Sequence, residues 1–540
     1  MTQKRSHRDR GSKGYLSGEK GTIRKKWGGR VPVLVVFPNS YYVGMSNLAV
    51  HILYGMLNER NDVVCERLFY EGSGPLLSME SKRSMSDFEM VFFTLSFELD
   101  YPNILKVLHG SSLPLFSRER HGATPIIVAG GICAISNPEP VSPFFDLMVL
   151  GDIEATLPSF MEHFIDIRGS VRETVIGDLC RLPFVYNPAD LSVLYHESGP
   201  IARFDPPSHT VSVGRYTGKQ FGSSVIESEE TEFSQMALVE GTRGCPSRCP
   251  FCLLGNIYTF RSEDIETSLI NETDIGIIGG GISFHPRITE IVGNLISRGI
   301  GVHLPSLRLD EVPLSLIRLI QDNVKTLTFG LEAATERLRR FVGKPITDEE
   351  ILYRIDTIMS MQSFNLKLYF MIGLYEEEQD DIEKIPELTK RIRHVMIKHG
   401  GPRGALGNIT VHVSPFVPKP ATPFQWLPMA DMETLKKKMA WLRMAFRKID
   451  NTFFTHESVK FSFLQGALAR GDRRVSEAVV RFARGENLTS MTKESAVNLG
   501  FYTLRERPHD EILPWDFIEG IRAKESLLKR LNSAAAALAR

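Results

Sequence analysis

Three cysteines fall within eight residues. Cys245, Cys249 and Cys252 stand in EGTRGCPSRCPFCLLGN, residues 240–256, with the spacing C-x3-C-x2-C. Thiolates are the ligands by which proteins hold iron–sulfur clusters, and a loop bearing Gly and Pro can wrap three of them around one centre. Structural zinc normally takes four protein ligands, and neither a fourth Cys nor a His is near. Zinc with a distant fourth ligand and three metal-free thiols are the alternatives. On a four-iron cluster, three ligands leave one iron open to chelate a small molecule, an arrangement suited to catalysis. The other three cysteines, Cys65, Cys133 and Cys180, have apolar neighbours, as buried free thiols commonly do. Six cysteines in 540 residues are too few for a disulfide scaffold.

The motif follows directly on an apolar stretch, Met236–Glu240, that reads as a strand. Further candidate strands are Ile275–Ile278, Val302–Leu307, Thr326–Leu331, Leu366–Leu374 and Ile409–Phe416. Amphipathic helical segments separate them: Ile288–Arg298, Leu314–Asp322, Asp348–Met361 and Asp380–Lys398. Six strands without a clear seventh and eighth predict an incomplete (β/α)6 barrel over residues 235–430, with the chemistry on the loops after the strands. Pattern alone does not separate this from an open doubly wound sheet.

An earlier alternating series occupies residues 31–190. Val31–Phe37, Val63–Phe69, Met90–Leu95, Ile126–Val128 and Leu147–Leu150 are nearly continuous apolar runs, as expected of parallel strands buried on both faces. A Rossmann-like parallel sheet is predicted. Residues 191–234, with Pro200, Pro206 and Pro207, read as a connector, and residues 431–540 as a mostly helical region through Met432–Ile449, Gly471–Ala483 and Leu527–Arg540. The overall fold class is therefore α/β with a helical C-terminal part.

Lys+Arg and Asp+Glu balance at 64 each, unlike a dedicated polyanion binder. The balance is uneven. Residues 1–30 hold ten Lys or Arg against Asp9 and Glu19, a net +8 that leaves −8 on the other 510. This segment, with six Gly, reads as a flexible basic tail able at most to make a weak contact with RNA or another polyanion. No apolar run approaches the roughly 18 residues of a membrane span, and no secretory signal is evident; a cytoplasmic protein is expected.

C-x3-C-x-aromatic-C, with Phe251 as the aromatic, on the loop after a first barrel strand resembles the radical SAM superfamily. The resemblance implies a [4Fe-4S] cluster on Cys245, Cys249 and Cys252, S-adenosylmethionine on the open iron, and reductive cleavage to a 5′-deoxyadenosyl radical. It also implies an electron donor such as flavodoxin or ferredoxin. Positions at later strand ends are similar to SAM-contacting segments of the family: Gly279, Gly280 and Gly281 after the second strand, Ser306 and Arg308 after the third, Glu332 after the fourth and Gly373 after the fifth. An ordinary strand-end turn and a surface ion pair are the alternatives. The acidic residue that often accompanies the glycines is absent.

FPNSYYVGMSNLAVHILYGMLN (37–58), SFELDYPN (96–103), AGGICAISNPEP (129–140), LGDIEA (150–155) and VPKPATPFQW (417–426) resemble the subfamily with an N-terminal cobalamin-binding domain. That implies Gly44, Ser46, Ser96, Gly130, Gly131 and Gly151 at a cofactor crevice, with Ser46 capping the next helix. The D-x-H-x-x-G signature for a histidine below cobalt is missing; His51 and His109 are the nearest histidines. Cobalamin is then held without a protein histidine, or the domain only shapes the site. The resemblance implies methyl transfer to an unactivated carbon or a radical rearrangement. The alternatives are methylthiotransferase-like sulfur insertion, with Cys65, Cys133 and Cys180 holding a second cluster, and a non-catalytic iron–sulfur RNA-binding protein. The substrate is not legible.

Overall fold

The computed structural model describes residues 13–265, 273–487 and 497–538. Strands β1 (Val31–Phe37), β2 (Val63–Phe69), β3 (Met90–Thr94), β4 (Ile126–Gly130), β5 (Leu147–Val149) and β6 (Val185–Tyr186) form one sheet in the order β2-β1-β3-β4-β5-β6. All pairings are parallel except that of β6. Every residue of β1, β2 and β3 is buried, which is why these strands read as unbroken apolar runs. The strand order reverses between β1 and β3. In open sheets of this kind the ligand crevice lies at that switch point, outside the carboxyl ends of the strands.

The second sheet system is a partial barrel. Strands β7 (Ala237–Glu240), β8 (Asp274–Ile278) and β9 (Gly301–His303) pair in parallel. So do β10 (Thr326–Glu332), β11 (Asn365–Ile372), β12 (Ile409–Pro415) and β13 (Thr452–His456). A bridge from Leu307 to Phe329 joins the two sets. The expected incomplete barrel is present, and β13 extends it by one strand inside the region read as helical. Its TFFTH sequence is half exposed at the open edge, so it lacks the apolar continuity that marked the others. Along β11 burial alternates residue by residue: Leu366, Leu368, Phe370 and Ile372 face the helices, leaving Lys367, Tyr369 and Met371 on the opposite face.

One apolar core runs through three regions of the chain. It takes in Leu34 and Phe93 of the first sheet, Phe424 and Trp426 after β12, and Leu527 and Leu531 of the last helix. The units therefore pack as one body. Among the described residues no helix is long and apolar enough to cross a membrane.

The basic N-terminal segment departs from expectation. Residues 1–12 lie outside the described residues, but from Lys13 onward the chain is strapped to the first sheet. Tyr15 stacks on Tyr41 with centroids 4.2 Å apart, and Glu19–Lys20 pairs with Glu227–Ser228. Glu19 and Glu80 hold the fully buried Arg67 at 2.7 Å each, and Trp27 donates to Glu66 at 2.8 Å. Single polar partners and isolated apolar contacts of Tyr15, Leu16 and Ile23, not periodic apolar burial, fix this segment, so its composition gave no sign of order.

Candidate active site

The cysteine loop is closed at its base where Thr242–Arg243, just after β7, pairs with Arg261–Ser262. Cys249 is buried; Cys245 and Cys252 are half-buried. Asn256 organises the loop from within. Fully buried in the short helix Leu253–Ile257, it donates from Nδ2 to the carbonyls of Cys249 (3.0 Å) and Cys252 (2.8 Å). Its Oδ1 accepts from Arg530 at 3.1 Å. Gly255 permits the tight wrap, since a Cβ there would lie 2.8 Å from the Cα of Arg248.

Burial pushes the Cys252 thiol up to about 11, against the N–H groups of Gly255 and Leu254 that favour its thiolate. Burial also raises Cys249, opposed by Lys344 and Arg308. Such thiols keep their protons until a metal displaces them. Among the described residues no three His, Cys, Asp or Glu side chains converge enough to share a single ion. A mononuclear zinc with 2.3 Å bonds draws its sulfurs to within about 4 Å of one another. A four-iron cluster places each thiolate on a different iron, and the three thiols stand on one short loop.

Several expected residues gather here. Arg308 clamps Asp310 through Nε and Nη2 at 2.8 Å and points Nη1 at Cys249 Sγ, 3.5 Å away. Glu332, at φ 64° in a bulge of β10, pairs with Lys344 at 2.7 Å. Gly343 brings this turn against the loop: a Cβ there would sit 2.9 Å from Pro250 and 3.4 Å from the Cα of Cys249. Gly279, Gly280 and Gly281 are also present, but the space beside each is filled by protein. Their absent Cβ atoms would strike Thr242, Leu254 and Phe260 at 2.2, 1.9 and 2.8 Å. The glycines let β8 end tightly against the cysteine loop. Ser306 is exposed. Gly373 turns against Leu435 and Ala430, its N–H given to Glu377.

A cavity of about 440 Å³ joins the two domains. From the first sheet it is lined by Asn47, Ser96, Gly130, Gly131 and Gly151; from the second by Thr242, Arg243, Leu254, Gly279 and Gly280. The buried apolar residues Leu53, Phe92, Leu157 and Phe160 also line it. Arg243 in its lining is paired with Glu154 and Glu240 at 2.7 Å each. No histidine is among the described residues lining it. His51 is buried elsewhere, its Nε2 3.0 Å from the Met45 carbonyl, and His109 lies in the last turn of the helix Tyr101–Gly110.

Two expectations need correction. Asn47, not Ser46, caps Leu48–Glu59, its side chain accepting from the Ala49 N–H; Ser46 instead donates to the Tyr42 carbonyl and accepts from Glu232 N. Gly44 is not on the cavity: a Cβ there would lie 2.4 Å from the Phe69 ring. Asn256, Lys344, Arg243 and Arg530 went unread because their roles rest on side-chain contacts that no residue pattern marks; Arg530 reaches Asn256 from 274 residues away. The segments SFELDYPN and VPKPATPFQW do meet, through Lys419 and Glu98 at 2.5 Å, with Gln465 on the other carboxylate oxygen at 3.0 Å. Phe424 N also donates to the Pro250 carbonyl of the cysteine loop at 3.1 Å.

Residues 49–188 match the family described as "Radical SAM proteins, N-terminal". The chain is 28% identical to an uncharacterized protein of Methanocaldococcus jannaschii over 82% of its own length and 90% of that protein. It is 23% identical to an uncharacterized methyltransferase of Pyrococcus horikoshii, over 37% of this chain and 47% of the other. Among solved structures it is similar to the radical S-adenosylmethionine methyltransferase TsrM from Kitasatospora setae, at 12% identity and a TM-score of 0.46, covering 71% of this chain and 72% of that one. The family match thus lies over the first domain, and the three-cysteine loop lies on the second.

Proposed function

We propose that this enzyme transfers a methyl group to an unactivated carbon, or carries out a related radical rearrangement, with cobalamin as its second cofactor. The observation that carries the reading is the shared cavity. The crevice at the switch point of the first sheet opens onto the cysteine loop and the turn after β8. A cavity of this size takes a drug-sized moiety, and its apolar lining residues suit the aromatic base of cobalamin. Gly131, at φ 113°, and Gly151, at φ 155°, bring backbone to its wall. The absence of a lining histidine among the described residues fits attachment without a protein ligand below the cobalt. The methyltransferase designation of the Pyrococcus relative agrees with the chemistry.

When bound, S-adenosylmethionine at the open iron supplies a 5′-deoxyadenosyl radical on one-electron reduction. Cys245, Cys249 and Cys252 would hold the cluster, and Asn256 orients their loop. Arg308 faces Cys249 and, with Lys344, adds positive charge beside the thiolates. Glu332 holds Lys344 in place.

The sulfur-insertion reading is weaker. Cys65 and Cys180 belong to the core on one face of the first sheet and Cys133 to the core on the other, so the three do not surround a common centre. Anaerobic reconstitution tests the proposal. About four iron per chain, reductive cleavage of S-adenosylmethionine and retention of cobalamin on the column are expected. Iron and cleavage without cobalamin would remove the methyl-transfer reading; about eight iron would revive the second cluster.

A further inference from the structure

Four arginines surround the outer side of the cysteine loop. Arg248 lies within the loop, exposed and at φ 48°. Arg530 donates to Asn256 Oδ1 and to the Arg248 carbonyl. Arg522 reaches the Gly255 carbonyl at 3.5 Å, and Arg215 the carbonyls of Ile257 and Gly520 at 2.8 and 3.0 Å. Three of them thus meet the loop through neutral oxygens. None of the four has a carboxylate within ion-pairing distance among the described residues, and Arg215 Nη1 and Arg522 Nε are buried without any partner. Burial and the three neighbouring guanidinium groups lower the pKa of Arg522, and Asp152 is the carboxylate whose charge reaches Arg215. Unpaired cations clustered in this way form a positive field that steers an anionic partner.

We infer that this patch is the docking surface for a small acidic protein that delivers single electrons to the cluster. The inference rests on the function proposed above, in which each turnover needs one electron. That electron leaves the reduced centre of the carrier, which is oxidised by one electron. It passes toward the cysteine loop, on which Pro246 and Arg248 are exposed, and no bond or proton is exchanged. Arg248 stands between Cys245 and Cys249, and the other three arginines bind oxygens of Arg248 and of Gly255–Ile257, so a carrier docked on them meets the loop that bears the thiols. Complementary charge raises the rate of encounter and makes it dependent on salt.

The test uses the reconstituted full chain and a reduced acidic ferredoxin, with Ti(III) citrate as the chemical reductant. 5′-Deoxyadenosine formation is followed as ferredoxin is varied. For the double variant R248E/R522E the KM for ferredoxin rises at least about tenfold, while the rate with Ti(III) citrate stays within about twofold. The R248K/R522K variant behaves as the parent, and the parent's KM rises with salt. An unchanged KM in the reversal variant, or a parent KM insensitive to salt, overturns the inference. So does RNA binding that the reversal abolishes while ferredoxin kinetics are untouched. If the parent does not cleave S-adenosylmethionine even with Ti(III) citrate, the proposed function fails. Docking is then judged alone, by calorimetric binding of oxidised ferredoxin to the parent and both variants; equal affinity for all three overturns it.

Discussion

Asn256 is the residue on which the cysteine loop depends most. It carries two loop carbonyls and receives Arg530, and a buried polar group left without partners costs about 1–3 kcal/mol. Replacing it by Ala is expected to lower iron incorporation to well under half of the parent value, read as iron per chain with circular dichroism unchanged. Leu, which fills the space without the amide, is expected to do no better. His51 gives a second test. Burial drives its pKa down to about 4, despite the hydrogen bond to Met45, so the native state holds it neutral. An exposed histidine titrates near 6.5, so the unfolded chain takes up the proton first. Stability is complete above about pH 6.5 and is lost as pH falls toward 4, by up to about 3 kcal/mol. Urea midpoints at pH 7.5 and 5 are expected to differ less in His51→Gln than in the parent.

At the scale of elements, glycine positions separate close packing from ligand contact. Gly131 has φ 113°, and a Cβ there would lie 2.6 Å from the Leu95 carbonyl. Gly131→Ala is expected to destabilise by about 1–3 kcal/mol, seen as a lower Tm, and to weaken cobalamin retention in parallel. The central strands were plain in the sequence because burial on both faces removes polar residues altogether: β1 and β2 occur over the residues expected. The helix Asp348–Met361 was equally plain, with Thr347 and Glu350 as its capping box. What escaped had no such signature. Strand β13 has one paired edge and half-exposed side chains. The strap from Lys13 is anchored by single polar contacts. The roles of Gly279 to Gly281 show only once Thr242 and Leu254 are seen beside them.

At the scale of the whole molecule, the last helix, Lys524–Leu538, completes the first site. Leu527 and Leu531 enter the common core, and Arg530 reaches Asn256. Ending the chain at residue 523 is expected to reduce cluster incorporation more than ten times further than Leu531→Ala, which costs about 2–5 kcal/mol of stability but leaves Arg530 in place. Iron content and Tm, measured on both, separate the two effects. The arrangement also sets an order of assembly. A ribosome finishes residues 245–256 nearly three hundred residues before it reaches Arg530, so throughout most of synthesis the loop lacks its brace. Cluster delivery to a finished site therefore belongs after Arg530 has been made, and a product truncated before it carries its cysteines without the support that secures them.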